Sequence, residues 1–178
     1  MDEKKCFLCE KVAVPNSPLC AECEVLYARM DLEYQTKMNN LIKQGIVGEA
    51  AMARESGIPL HAVKWYMYRR QPAPVHADIS FSDKMYGDHI WAMAEGRVDS
   101  PNSLILQQYL NQLMEMGFKH IILDLSHVRF FSSNGIRVVL AAYKSLHPDG
   151  SFRIANPSPS VTNVLGLVNM DRLLLEGH

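Results

Sequence analysis

The chain has 178 residues, 48% of them apolar, a formal charge of −1 and no long apolar run. That apolar content excludes a disordered chain, the balanced charge gives no general footprint for polyanions, and no run reaches the ~20 residues a membrane span needs. The start, MDEKKCFLCE, is not a secretory leader, so a soluble cytoplasmic protein of one large or two small domains is expected.

All four cysteines precede residue 24, as two C-x-x-C pairs: Cys6 with Cys9, and Cys20 with Cys23. In a reducing compartment such pairs read as metal ligands. Each can fold as a tight turn presenting two thiolates, and two turns close a tetrahedral site with no open position. The expected cofactor is therefore one structural zinc ion, in a knuckle over residues 1–28, substituting for a core this segment is too short to build.

From Glu22 the pattern turns helical through Val25, Leu26, Met30, Leu32, Tyr34, Met38, Leu41 and Ile42, and a helical module is expected over residues 29–71. Ala53, Gly57 and Val63 have the spacing of a helix-turn-helix: a small residue for close approach, a glycine for a positive φ, an apolar residue inside. The second helix carries His61, Lys64, Arg69 and Arg70 and no acid, a set that could meet phosphates or a major groove. Residues 1–75 nevertheless hold ten Lys and Arg against nine Asp and Glu, so a hairpin that packs on the knuckle or recruits a protein stays open beside DNA binding. A four-cysteine knuckle followed by a small helical domain also resembles small regulatory proteins of flagellar operons. Pro72 and Pro74 mark an extended linker over 72–77.

In the remainder, 78–178, alternation at Ile79 and Phe81 reads as an edge strand and 88–96 as a second strand. A helix capped by Ser100 or Asn102 follows, with Leu104, Leu106, Tyr109, Leu110, Leu113 and Met114 as its apolar face and Gly117 as its stop. Ile121 to Leu125 reads as a buried strand, with Asp124 at its end and His127 in a connecting loop. Ser132-Ser133-Asn134-Gly135 is turn and N-cap chemistry before a helix on Ile136, Val139, Leu140 and Tyr143. It places small hydroxyls at a helix N-terminus, where backbone N–H groups and the dipole would hold a phosphate. A strand over 152–156 and a helix on Val161, Val164, Leu165 and Val168 complete the pattern. No nucleophile elbow, P-loop or dinucleotide fingerprint occurs, so no enzyme is expected.

Four of these segments carry a resemblance. Gly96-Arg97-Val98-Asp99, Leu123-Asp124-Leu125-Ser126 with Phe130-Phe131-Ser132-Ser133-Asn134-Gly135, Asn156-Pro157-Ser158-Pro159, and Met170-Asp171-Arg172-Leu173 resemble the STAS domain of anti-sigma factor antagonists. Ser132 stands where that family has Asp, and Asn134 where it has a second Ser. The resemblance implies an α/β fold, a STAS-like mixed sheet with helices on one face, preceded here by the zinc knuckle and helix-turn-helix-like module. It implies a regulatory interaction module that binds an anti-sigma factor or serine kinase. Ser133 would be the phosphorylated residue, and Asp99, Ser132, Ser133, Asn134 and Gly135 the partner-binding surface. The family usually adds a last strand and helix, so an exposed sheet edge beside Leu173 to Leu175, open to a partner or a second copy, is expected.

Overall fold

The computed structural model describes residues 5–9, 11–14, 17–70 and 78–175. The described residues divide into two compact units, one within residues 5–70 and the other over residues 78–175. The linker expected at 72–77 lies outside the described residues.

The N-terminal unit starts with a small turn-rich segment. Lys5 and Val12 form an antiparallel bridge, the Cys6 N–H donates to the Lys11 carbonyl at 2.6 Å and the Val14 N–H to the Leu19 carbonyl at 2.8 Å. Helix α1 (Ala21–Lys43) follows without interruption, so it runs through the expected knuckle boundary at residue 28. Helices α2 (Glu49–Ser56) and α3 (Leu60–Arg69) meet at Gly57, whose φ of +70° is the positive value the spacing anticipated. Met38, Met52, Ile58, Ala62, Val63 and Trp65 form the core of these helices. The buried part of Tyr66 is fixed by its hydroxyl, which donates to the Asp31 carboxylate and to the Asp31 carbonyl.

The second unit is a mixed four-stranded sheet in the order β1 (Ile79–Tyr86), β2 (His89–Val98), β3 (His120–Phe131), β4 (Ser151–Ala155). The β1–β2 hairpin is antiparallel; β2, β3 and β4 run parallel. Parallel strands need crossovers. These are α4 (Ser100–Met116) between β2 and β3, and α5 (Ser133–Leu146) between β3 and β4. The two helices pack side by side, α4 against β2 and α5 against β3 and β4. Helix α6 (Pro159–Leu167) lies against β3, and a 3₁₀ turn (Asp171–Leu173) follows it.

Three strand expectations change. β2 extends through Val98, past the expected end at residue 96, so Gly96 lies inside the strand. Its φ of +116° lets the backbone pass against Asp78, whose carbonyl oxygen would lie 2.2 Å from an added Cβ. β3 continues past Leu125 to Phe131, which places Asp124 and His127 inside the strand and not at its end or in a loop. The longer strand absorbs the extra residues as register shifts against β2. At β4 the expected open edge is met locally by the chain itself: Leu174 bridges Ile154 in parallel, and the Leu175 N–H donates to the Ile154 carbonyl at 2.8 Å.

Candidate functional site

Val98 and Phe131 are partners at the ends of parallel strands, so α4 and α5 begin next to each other. Short polar residues build both starts. Asp99 caps α4, its Oδ1 accepting from the Asn102 N–H at 3.1 Å. Ser132 caps α5, its Oγ accepting from the Gly135 N–H at 3.2 Å. The capping residues are therefore Asp99 rather than Ser100 or Asn102, and Ser132 rather than Ser133. Buried Ser103 joins the two caps: its hydroxyl donates to the Asp99 carbonyl at 2.5 Å and lies 3.2 Å from the Ser132 hydroxyl. Gly135 is required by space. A Cβ there would stand 2.8 Å from Val98 Cγ1 and 3.1 Å from Phe131 Cε1.

This arrangement leaves Ser133 exposed at the first position of α5, and among the described residues no hydrogen bond holds its side chain. Its neighbours are engaged. Asn134 donates through Nδ2 to the Ser100 hydroxyl at 3.1 Å and accepts from the Arg137 guanidinium at 3.3 Å. Between the helices lies an open cleft of about 390 Å³, walled by Ser103, Leu104 and Gln107 on one side and Arg137, Val138 and Ala141 on the other. All five residues expected at the partner surface thus meet at one edge. Two of them, Asp99 and Ser132, have structural work as caps. Ser103 and Arg137 were not anticipated. Arg137 lies one turn beyond Ser133, which helical spacing reveals; nothing local in the sequence points to Ser103.

Asp124 has a different role. It is 6% exposed and accepts from three donors: Trp91 Nε1 at 3.1 Å, Asn156 Nδ2 at 2.9 Å and the Ser126 N–H at 2.9 Å. Those bonds fasten β2, β3 and the loop after β4, where Asn156 adopts a positive φ of 48°. A carboxylate used this way is a structural tie.

A family model described as "STAS domain" matches residues 84–176, just over half of the chain. The chain belongs to the STAS domain family. A Thermotoga maritima protein named as an anti-sigma factor antagonist is 26% identical over 96 residues, covering 53% of this chain and 85% of its own. The crystal structure of an anti-sigma factor antagonist from Mycobacterium paratuberculosis superposes with a TM-score of 0.51 at 19% identity, over 57% of this chain and 87% of that one. The Bacillus cell fate determinant SpoIIAA in its phosphorylated form gives a TM-score of 0.46 at 19% identity, over 54% and 89%. The STAS match runs from the last residues of β1 through the rest of the sheet unit and includes the loop and helix starts described above; it does not reach the cysteines or α1–α3.

In the N-terminal unit, Cys6, Cys9, Cys20 and Cys23 bring their sulfurs within 4.8 Å of one another. The Cys9–Cys20 separation is 3.5 Å and the Cys9–Cys23 separation 3.6 Å. Four sulfurs about 2.3 Å from one tetrahedral zinc would stand about 3.8 Å apart, so the donor set fits that ion. Burial pushes the Cys6 thiol up, but N–H groups of the Cys20, Leu8 and Cys9 backbone outweigh it and bring the group to about 7.

The side chains expected to contact DNA are spread around α3. Arg70 donates to the Asn39 side chain at 2.9 Å, Arg69 sits 4.8 Å over the Trp65 ring, and His61 and Lys64 are half-buried. They do not form one exposed basic row.

Proposed function

We propose that the STAS unit is a non-catalytic docking module of the anti-sigma factor antagonist type, engaging an anti-sigma factor or serine kinase at the edge where α4 and α5 begin. Phosphorylation of Ser133 is the proposed switch. The observation that carries this reading is the division of labour between adjacent serines: Ser132 already caps α5, so the exposed Ser133 hydroxyl is available for modification without dismantling the helix. A phosphate there would add roughly −1.5 to −2 charges and three acceptor oxygens at neutral pH. The helix N-terminus tolerates that charge internally, whereas a docked partner would meet added repulsion and desolvation. Binding then weakens while the fold stays.

The proposed cofactor is one structural zinc held by Cys6, Cys9, Cys20 and Cys23. Four thiolates fill its coordination shell, so its contribution is to fold the turns around residues 5–20.

The test is mass spectrometry of the Phe130–Arg137 peptide from protein isolated from its host, joined to partner capture with Ser133→Asp and Ser133→Ala. Phosphate on Ser133, with capture lost in S133D and kept in S133A, is the expected result. An unmodified peptide in all growth phases, with S133D still capturing the partner, overturns the switch.

A further inference from the structure

We infer that the partner segment received by the α4–α5 cleft is acidic, with an apolar side chain alongside its carboxylates. The inference rests on the docking reading above and adds the chemistry of what docks. The lining of the cleft holds no acid and one cation, Arg137, and the acids Glu115 and Asp149 line a separate pocket toward the far ends of the two helices. α4 carries no charged residue before Glu115, and α5 carries Arg137 and Lys144 and no acid. Arg137, Ala141 and Lys144 follow one another at helical spacing on the exposed side of α5. At the top of the cleft the adjacent starts of α4 and α5 add the positive ends of two dipoles. The acid nearest that edge, Asp99, is half-buried and occupied in capping α4, so its charge is offset by the N–H groups it faces.

The apolar side chains of the cleft walls supply the second half of the description. Leu104 is 58% exposed and stands across from Val138 and Ala141. An exposed leucine set in a neutral-to-basic wall suits an amphipathic segment that places one apolar residue in the cleft and its carboxylates at Arg137 and Lys144. Arg137 is poised for this. Its guanidinium already reaches back to an amide oxygen, Asn134 Oδ1, and an incoming carboxylate offers a stronger, two-point acceptor. The same geometry gives a phosphate on Ser133, one turn away, access to Arg137, so modification would compete for the cation the partner needs.

The experiment places a photo-crosslinking residue at Ala141 in the full chain, expressed in the native host, and sequences the crosslinked segment. One protein is expected, captured through a stretch rich in Asp and Glu. Arg137→Glu should cut the crosslink yield about tenfold and Lys144→Glu several-fold. A synthetic peptide of that stretch should bind the purified chain roughly tenfold more weakly at about 300 mM than at about 50 mM salt, and regain affinity for R137E when its facing Glu is changed to Lys. Leu104→Trp, which fills the cleft without altering charge, separates the two proposals. If L104W blocks crosslinking and R137E does not, docking stands and the acidic partner is wrong. A neutral or basic captured segment, or a nucleic-acid adduct, also overturns the inference. If no growth condition gives a crosslink, both proposals fall.

Discussion

β3 buries five consecutive residues, Ile121 to Leu125, whereas α1, the longest helix of the other unit, buries two of its 23. The contrast separates two ways of holding a small unit together. In the STAS unit, apolar area removed from water on both sides of a central strand is the main stabilising term. In the N-terminal unit a compact core from α2 and α3 secures the C-terminal half of α1, through Met38, Leu41 and the Tyr66–Asp31 bonds. Its other end, with residues 5–20, has the four sulfurs as its main point of convergence.

Removing the proposed zinc should break that contrast most sharply. Zinc supplies about 10–16 kcal/mol to zinc-finger peptides, more than a segment of this size can lose. Chelation, or Cys20→Ser, is expected to abolish hydrogen-exchange protection at residues 5–20 and fray the first turns of α1. Protection should persist from about Asp31, where the Tyr66 contact begins, and β3 should be unmoved. Unchanged exchange at residues 5–20 would mean that turn hydrogen bonds suffice without an ion.

Within the sheet unit the equivalent single point is Asp124. Asp124→Ala removes the acceptor shared by the Trp91 indole N–H, the Asn156 amide and the Ser126 N–H, and a buried donor left unpaired costs about 1–3 kcal/mol. A loss of about 3 kcal/mol is expected, read as faster exchange throughout β2 and β3. Asp124→Asn keeps an acceptor oxygen and should cost clearly less. Equal losses for both would show that the charge matters more than the geometry.

The sheet unit was the more legible of the two, for reasons visible in particular residues. A run such as Ile121 to Leu123 can be satisfied only by burial on both faces, so its strand is written into local composition. Gly57 and Gly117 likewise announce their positive φ by being the residues that tolerate it. Roles set by distant partners were not readable. Asp124 looks like a strand-end residue until Trp91 and Asn156, remote in sequence, are placed on it. The choice between Ser132 and Ser133 as cap depends on where β3 stops, and β3 outruns its apolar run by six residues, from Leu125 to Phe131. Ser103 became part of the site only because two strands end level with each other.

The serine pair offers a finer test inside the STAS unit. Ser132→Ala removes an N-cap and its contact with Ser103, so a loss of about 1 kcal/mol is expected. Ser133→Ala removes a side chain with no described bond and should stay within about 0.5 kcal/mol. Urea unfolding followed by exchange in α5 peptides checks both. The reverse order would assign the cap to Ser133 and remove the observation on which the switch rests.

The smallest expected effect is the pH dependence at the opposite end of the sheet, where β2 and β3 begin. The rings of His89 and His120 stack at 4.6 Å, Asp88 bonds to His89 at 2.8 Å and lies 3.7 Å from His120, and Ser151 bonds to His120 at 2.9 Å. Burial pushes the His89 pKa down, His120 adds to that, and Asp88 opposes it without prevailing. A histidine with a lowered folded-state pKa binds its proton more readily once unfolded. Stability of the STAS unit should therefore be level above neutrality and fall as pH drops through about 6.5, the ordinary histidine value. Asp88 is shifted down too, through its His89 bond against its own burial, but its contribution is lost only below about 4. A comparison between about pH 7.5 and about pH 5.5 consequently isolates the imidazole. Exchange in β2 and β3 peptides should show a less stable sheet at the lower pH, and His89→Asn should remove the difference. A wild-type sheet that gains stability on acidification would mean that the Asp88 bond governs the pair and that His89 is protonated more readily folded than unfolded.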